Sequence, residues 1–218
     1  MTLEHLGDGR PRVKICGLTN ADDARACVNL GADAIGVVFA PGGPRYVQPN
    51  LAAEVFDGLP DAVARVGVFV APSDDDVLEA LNMGGLTHIQ VHGGANVARI
   101  ADLTGVPVIE AIAVASAEDI AQAAASEASF VLLDAAVPGR HGGTGKRFDW
   151  GLLEAHPIGR PFGLAGGLSP AVVAEAVRRV SPALLDVSSG VESAPGRKDL
   201  GLVEAFIDAA WLATASAS

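Results

Sequence analysis

Residues 163–170, GLAGGLSP, end a short apolar run at two adjacent glycines and then present a serine and a proline. An apolar run that stops at a glycine turn is typical of a buried strand. Ser169 followed by Pro170 is typical of a helix N-cap and first helical position. The stretch therefore predicts a strand, a tight turn and a helix, in that order. A second unit of this kind follows at residues 186–192, DVSSGVE.

The same alternation fills the chain. We predict strands at residues 13–16, 34–39, 65–70, 88–91, 106–113, 130–134, 161–166 and 184–188. We predict helices at residues 21–30, 49–57, 74–83, 95–103, 117–125, 149–155, 170–179 and 199–212. Eight strand–helix units in 218 residues indicate a single-domain α/β protein folded as a (β/α)8 TIM barrel. The alternative is a doubly wound parallel sheet, which more often has fewer strands.

Composition limits the partners of the chain. Half of the residues are hydrophobic and 19% are charged, which argues against disorder, and no apolar run approaches the ~18 residues of a membrane span. A net charge of −11 without a basic block disfavours nucleic acid and anionic membranes as partners. The amino-terminal end lacks the pattern of a signal peptide, so we expect a cytoplasmic protein. We expect the barrel to span residues 11–213, with flexible tails at 1–10 and 214–218.

Polar side chains occupy one face of three predicted strands. Because alternate residues of a barrel strand face the interior, Lys14 and Cys16 share a face of the first strand. Asp134 ends the sixth strand, and Asp186 and Ser188 share a face of the eighth. Active sites of TIM barrels lie at the carboxyl ends of the strands, so these side chains predict one common site.

Cys16 and Asp134 are the candidates for proton transfer. A thiol acts as a base near neutral pH only where a cation or dipole lowers its pKa, and Lys14 could supply that field or pair with an inward carboxylate. Burial would raise the pKa of Asp134 and suit it to general-acid catalysis. Two other interpretations stay open. Cys16 could be a small core residue, and Asp134 could pair with Lys14 or cap the next turn.

Candidate binding groups lie on the loops that follow the strands. Glycine turns let backbone N–H groups approach an anion, and a helix N-terminus adds positive charge, so the two small-residue turns predict a phosphate site. Its members are Gly166, Gly167, Ser188, Ser189 and Gly190. Arg45 could clamp a carboxylate or stack on an aromatic ring, or be an ordinary surface arginine. Gln90 adds a polar group.

The loop at residues 135–147 contains four glycines. It is not a P-loop, because Arg147 stands where the motif requires serine or threonine after the lysine. We interpret it as a mobile lid beside Asp134. The chain has no H-x-x-x-H or C-x-x-C pair and no G-x-G-x-x-G after the first strand. We therefore expect neither metal nor cofactor, and a phosphorylated small molecule as substrate.

Ten short segments, taken in their order along the chain, carry a resemblance to a known family. They are KICGLT at 14–19, PRY at 44–46, VGVF at 66–69, QVHG at 90–93, LD at 133–134, GGTGK at 142–146, FDW at 148–150, LAGGL at 164–168, DVSSGVE at 186–192 and GRKD at 196–199. Together they resemble the phosphoribosylanthranilate isomerase family of tryptophan biosynthesis. The chain departs from the common family pattern at Val91, where leucine is usual, and at Gly43, where serine is usual.

The resemblance implies a barrel that converts N-(5-phosphoribosyl)anthranilate into 1-(2-carboxyphenylamino)-1-deoxyribulose 5-phosphate by an Amadori rearrangement. In this family the aspartate that matches Asp134 is the general acid, and the cysteine that matches Cys16 is the general base. The resemblance further implies that Arg45 contacts the anthranilate, that Asp186 faces the ligand, and that the two small-residue turns hold the phosphate.

Two alternatives remain at this level. The dual-substrate barrel isomerase of tryptophan and histidine synthesis has an aspartate at the end of the first strand, where this chain has Cys16. A non-catalytic phosphosugar-binding barrel would keep the turns without needing both Cys16 and Asp134. The sequence allows either a monomer or a homodimer.

Overall fold

Eight parallel strands close into a barrel in the computed structural model, which describes residues 9–135 and 149–215. The strands are β1 (Arg12–Cys16), β2 (Ala34–Val38), β3 (Ala64–Val70), β4 (His88–His92), β5 (Val108–Val114), β6 (Phe130–Ala135), β7 (Phe162–Leu164) and β8 (Leu184–Val187). The helices are α1 (Ala21–Asn29), α2 (Pro49–Val55), α3 (Asp74–Gly84), α4 (Val97–Thr104), α5 (Ala117–Ala125), α6 (Gly151–Ala155), α7 (Val173–Val180) and α8 (Leu200–Ala215). The predicted single-domain TIM barrel is confirmed.

Closure of the barrel joins the two ends of the chain. Strand β1 pairs with β2 on one side and with β8 on the other, and Lys14 is the register partner of Asp186 across the second of these seams. Because β8 is parallel to β1, the carboxyl ends of both strands reach the same mouth of the barrel.

Side chains alternate between two packed layers, as the period of two predicts. Cys16, Leu132 and Leu184 belong to the smaller cluster, inside the barrel. Val13 and Ile15 belong to the larger cluster, between strands and helices. The polar residues of β1, β6 and β8 therefore share the interior with small and branched apolar side chains.

The start of α7 differs from the prediction. The carbonyl oxygen of Ser169 accepts the N–H groups of Val172 at 3.1 Å and Val173 at 3.0 Å, so a turn precedes the helix. The helix begins at Val173, and the expectation that Ser169 caps it and Pro170 opens it was wrong.

A small hairpin after β8 was not predicted at all. A single 3-10 turn at Ser189–Val191 leads into β9 (Glu192–Ala194), which pairs antiparallel with β10 (Arg197–Lys198) before α8 begins. These strands are too short for a period of two to be visible in the sequence, so only their turn residues could have indicated them.

The chain ends are described in part. Arg10 donates to Asp33 with two hydrogen bonds of 3.2 Å and stacks over Trp211, and α8 continues to Ala215. The remaining residues of the two predicted tails, 1–8 and 216–218, lie outside the described residues, as do residues 136–147 of the predicted lid. No helix within the described ranges is long and apolar enough to cross a bilayer.

Candidate active site

A buried ion pair lies on the floor of the candidate site. The ammonium group of Lys14, which has no exposed surface, donates to Asp186 Oδ2 at 2.9 Å. Burial lowers the pKa of Lys14, but the charges of Asp186 and Cys16 outweigh burial and raise it overall. Lys14 is therefore a permanent cation inside the barrel. The other oxygen of Asp186 is buried and has no partner among the described residues, so it can accept a hydrogen bond from a ligand.

Cys16 lies beside this cation at the end of β1. A Cβ built on Gly36 would lie 3.0 Å from both the Cys16 sulfur and the Lys14 nitrogen, so both groups border the same point of the barrel interior. Burial raises the pKa of the Cys16 thiol, and the charge of Lys14 only partly opposes this rise. The sequence left the protonation state of Cys16 open, with Lys14 as a possible source of a lowering field. In the structure the pKa is raised, because desolvation of a thiolate outweighs the nearby ammonium.

Asp134 is the last but one residue of β6 and has 8% of its surface exposed. Burial raises the pKa of its carboxyl group to about 6, although a hydrogen bond from the Ala135 N–H at 2.7 Å opposes the shift. The negative charge of Asp186 also raises it. Lys14 pairs with Asp186 and not with Asp134, so Asp134 keeps the raised pKa that general-acid catalysis requires.

The two small-residue turns touch each other. A Cβ on Gly190 would lie 1.9 Å from the carbonyl oxygen of Leu168. Gly166 and Gly167 have φ of +80° and +65°, the left-handed region that favours glycine. A Cβ on Gly166 would also lie 2.7 Å from Asp134 Oδ1, so the first turn borders the candidate acid directly.

Backbone N–H groups supply the positive potential of these turns. Those of Gly166, Gly167, Ser189 and Gly190 have no backbone acceptor among the described residues. Because α7 begins only at Val173, the candidate anion site consists of turn amides and the 3-10 turn after β8 rather than the start of a long helix.

Arg45 reaches the mouth of the barrel from the loop after β2. Its Nε donates to Glu192 Oε1 at 2.8 Å and its Nη2 donates to Oε2 at 2.6 Å, which leaves three of its five N–H groups for other acceptors. Its stem crosses Gly17: a Cβ there would lie 2.5 Å from Arg45 Cδ and 3.1 Å from the hydroxyl oxygen of Ser188. Arg45 therefore lies next to both Cys16 and the second turn.

Gln90 projects from β4 into the barrel, where only 2% of its surface is exposed. Its Nε2 lies 3.0 Å from Nε2 of His92, and its amide oxygen is buried without a partner among the described residues. Like the second oxygen of Asp186, this atom can accept a hydrogen bond from a ligand hydroxyl.

The sequence analysis assigned no role to two residues that contact the site. Glu192 and Lys198 are almost fully buried, and each contacts a candidate site residue. Both stand in segments quoted for the family resemblance, but Arg45 lies 147 positions from Glu192 and Cys16 lies 182 positions from Lys198. No local pattern reveals such contacts.

The geometry can support proton transfer on a bound phosphate ester. The barrel interior holds a carboxyl group with a pKa of about 6 and a thiol beside a buried ammonium. It also holds two acceptor oxygens that have no partner among the described residues. The candidate anion-binding turns lie at the mouth of this interior. Within the described residues, no group of three or more histidine, cysteine, aspartate or glutamate side chains is arranged to hold a metal ion.

Comparisons with known proteins agree with the resemblance. The model of the N-(5'-phosphoribosyl)anthranilate (PRA) isomerase family matches residues 13–209. A relative of that name from Magnetococcus marinus is 43% identical over 198 residues, covering 91% of this chain and 94% of its own. The crystal structure of phosphoribosyl anthranilate isomerase from Thermotoga maritima is 38% identical with a TM-score of 0.84, over 92% of this chain and 98% of its own.

A further solved structure carries a ligand. It is a phosphoribosyl anthranilate isomerase in complex with reduced 1-(o-carboxyphenylamino)-1-deoxyribulose 5-phosphate. It is 37% identical to this chain with a TM-score of 0.81, and the similarity covers 92% of this chain and 98% of that one. The chain described here belongs to the N-(5'-phosphoribosyl)anthranilate isomerase family.

Proposed function

We propose that this chain catalyses the isomerisation of N-(5-phosphoribosyl)anthranilate to 1-(2-carboxyphenylamino)-1-deoxyribulose 5-phosphate, a step of tryptophan biosynthesis. One observation carries the proposal beyond family membership. A carboxyl group with a pKa of about 6 and a thiol beside an ammonium lie in the field of the same buried aspartate, Asp186. An Amadori rearrangement needs one acid and one base in this way.

The two ends of the substrate orient it. The phosphate accepts hydrogen bonds from the turn amides at Gly166–Gly167 and Ser189–Gly190, and from the Ser188 hydroxyl. The anthranilate carboxylate contacts the guanidinium of Arg45, which has N–H groups left over after its bonds to Glu192. The ribose then lies over the interior, where the free oxygens of Gln90 and Asp186 accept hydrogen bonds from its hydroxyl groups.

The first chemical step is ring opening. Asp134 in its acid form donates its proton to the furanose ring oxygen. The bond from this oxygen to C1′ breaks as the nitrogen lone pair forms a C=N bond, which leaves a positively charged Schiff base. The adjacent charge of Asp186 favours this cation, because opposite charges attract strongly inside a poorly solvated barrel.

The second step is proton abstraction. The Cys16 thiolate removes the proton from C2′, and the electron pair of that C–H bond forms a C1′=C2′ double bond while the nitrogen becomes neutral. The enolamine product then tautomerises to the ketone. Lys14 stabilises the thiolate electrostatically while it acts as base.

The protonation states of the pair account for its turnover. In the reactive form Asp134 is protonated and Cys16 is ionised, so the pair holds one proton. The reverse form, with Asp134 ionised and Cys16 protonated, also holds one proton. This reverse form is favoured because the pKa of Cys16 lies above that of Asp134. One catalytic cycle moves a proton from Asp134 to substrate and another from substrate to Cys16. The cycle therefore ends in the favoured arrangement, and proton exchange with water restores the reactive one.

A direct assay tests the function. Purified protein is incubated with N-(5-phosphoribosyl)anthranilate, and the formation of the ketose product is followed by chromatography and mass spectrometry. We expect efficient turnover and rescue of a tryptophan auxotroph that lacks this step. Absence of both would refute the proposed function. Comparable turnover of the aminoimidazole ribonucleotide of histidine synthesis would instead assign the chain to the dual-substrate isomerases.

The remaining expectations about partners form part of the proposal. The substrate is a small phosphosugar, no nucleic acid or membrane takes part, and the enzyme works in the cytoplasm as a monomer or homodimer. The net charge of −11 supports the exclusion of polyanionic partners, because the overall field of the chain repels them. Light scattering of the purified protein distinguishes the two assembly states.

A further inference from the structure

Lys198 places a second buried ammonium group directly under the candidate site. Its side chain has no exposed surface. Its Nζ donates to the carbonyl oxygen of Cys16 at 2.6 Å, to that of Ser188 at 3.3 Å, and to Glu192 Oε1 at 2.8 Å. The three donors of this ammonium thus meet three acceptors, one from the end of β1, one from the second turn, and one from the hairpin.

Glu192 continues this chain of contacts to Arg45. Its carboxylate, 4% exposed, accepts from Lys198 through Oε1 and from Arg45 through both oxygens. Burial raises the pKa of Glu192, but the two cations outweigh burial and lower it overall. The carboxylate therefore stays ionised between two cations, a geometry in which each charge has a partner and in which loss of one partner is costly.

The hairpin that carries both residues is fixed at several points. The Thr19 hydroxyl donates to the Gly196 carbonyl at 3.0 Å, and the backbone N–H of Lys198 donates to Asp23 Oδ2 at 3.1 Å. A Cβ on Gly196 would lie 2.8 Å from the Pro44 carbonyl oxygen, so the hairpin also packs on the loop that carries Arg45. Glu192 and Lys198 therefore lie on a hairpin that contacts the loops after β1 and β2 and the first turn of α1.

We propose that Lys198 and Glu192 are positioning residues of the isomerase reaction, which set the distance between the base Cys16 and the anthranilate-binding Arg45. This inference deepens the proposed function and rests on it. One buried ammonium holds the backbone of Cys16, the backbone of the phosphate turn at Ser188 and, through Glu192, the guanidinium of Arg45. Substrate held at both ends then presents C2′ to the sulfur at a fixed distance.

The arrangement acts by geometry and by charge. A misplacement of about 1 Å in a reacting group costs about a hundredfold in rate. We call the contacts that run from Cys16 through Lys198 and Glu192 to Arg45 the brace. Because the brace fixes the distance between the base and the anthranilate-binding arginine, its loss changes kcat as well as KM. The charge of Lys198 also opposes the rise that burial imposes on the pKa of Cys16. Neither residue needs to touch the reacting atoms.

Two substitutions test the brace in the full-length protein. Glu192→Gln keeps the size of the side chain but replaces one carboxylate oxygen with an NH2 group. This group cannot accept a hydrogen bond, so the side chain loses contact with at least one of the two cations, Arg45 or Lys198. Lys198→Met removes the ammonium and keeps the length. For Glu192→Gln we expect kcat to fall at least about tenfold and KM for N-(5-phosphoribosyl)anthranilate to rise about tenfold, since a charge-assisted hydrogen bond contributes this much. For Lys198→Met we further expect the alkaline limb of the pH profile to move to higher pH.

The control variant is Glu154→Gln, which breaks an exposed bidentate pair with Arg179 in which Nε donates at 2.7 Å and Nη2 at 3.1 Å. Its kinetic constants should stay within about twofold, because exposed pairs contribute little. Calorimetric titration with inorganic phosphate is the second readout, and for Glu192→Gln we expect an affinity within about threefold of the unmodified protein.

The outcomes separate the two proposals. Wild-type turnover of the substrate tests the function alone. If the wild type is active and Glu192→Gln keeps kcat and KM within about threefold, the brace is refuted. A loss of phosphate affinity as large as the kinetic loss also refutes it, because a general distortion of the barrel would act on both readouts. If Lys198→Met does not fold, Glu192→Gln alone decides.

Discussion

Gly190 faces the carbonyl oxygen of Leu168 so closely that a Cβ at position 190 would lie 1.9 Å from it. The two small-residue turns, one after β7 and one after β8, are therefore in backbone contact. No side chain fits between them, and the spacing of their N–H groups depends on this contact.

Gly190→Ala should separate the two turns. We expect KM for N-(5-phosphoribosyl)anthranilate and the Kd of inorganic phosphate to rise at least about tenfold, with a smaller change in kcat, because the loss lies in binding shared by ground and transition states. Gly43→Ala is the matched control, since no atom lies within 4 Å of a Cβ there. Equal phosphate affinity in both variants would contradict the proposed role of the turns.

Asp134→Asn should remove the general acid. We expect kcat to fall by at least ~10², with binding of a reduced product analogue within about tenfold. In the wild type kcat/KM should rise with pH through about 6, where Asp134 loses its proton and the one-proton form accumulates. The wild-type profile should level off above this pH, whereas the residual activity of Asp134→Asn should keep rising as Cys16 ionises. The missing break separates this carboxyl from the phosphate of the substrate, whose second ionisation also lies near 6.

The same substitution should stabilise the fold at neutral pH. The folded-state pKa of Asp134, about 6, lies above its usual value of 3.8, so its favourable contribution exists at low pH and is lost as pH rises through 6. Asparagine cannot ionise, and we expect the free energy of unfolding of Asp134→Asn to exceed that of the wild type by up to about 3 kcal/mol at pH 8. Urea titrations at pH 4 and pH 8 measure the difference, which should nearly vanish at the lower pH.

Cys16→Ala and Cys16→Ser test the base. We expect each to lower kcat by at least ~10² while the product analogue still binds within about tenfold. Serine is nearly isosteric but ionises far less readily, so recovery of activity in Cys16→Ser would mean that Cys16 only fills space. Crystal structures or circular dichroism of both variants serve to exclude a packing defect.

Lys14→Met should expose the cost of the buried ion pair. Without the ammonium, Asp186 is an uncompensated buried charge, and we expect a loss of about 3–5 kcal/mol in the free energy of unfolding. The double variant Lys14→Met/Asp186→Asn removes both charges and should recover most of that loss. If the single and double variants unfold alike, the pair contributes nothing to stability. Thermal and urea unfolding distinguish these outcomes.

Much of this architecture is encoded locally. The period of two along β1, β6 and β8 places Lys14, Cys16, Asp134 and Asp186 on inward faces, and glycine turns mark the ends of β7 and β8. Such features depend on neighbours in sequence, so they can be predicted. The family resemblance supplied the roles of the residues, which chemistry alone left open between catalysis and packing.

The contacts that tune the site are not local. Arg45 and Glu192 are 147 positions apart, and Lys198 reaches the Cys16 carbonyl across 182 positions. The direction of the pKa shift of Cys16 also escaped prediction, because it depends on how completely the closed barrel removes water from the thiol. Both properties arise only when the barrel has closed.

The pairing of β1 with β8 has a consequence for synthesis of the protein on the ribosome. Lys14 is translated 172 residues before its partner Asp186, and Glu192 and Lys198 follow later still. Until β8 emerges, the nascent barrel has an open edge and a lysine whose counter-ion does not yet exist. A product terminated before Asp186 therefore lacks closure, charge balance and the brace together, so translation beyond Lys198 is a condition of catalytic activity.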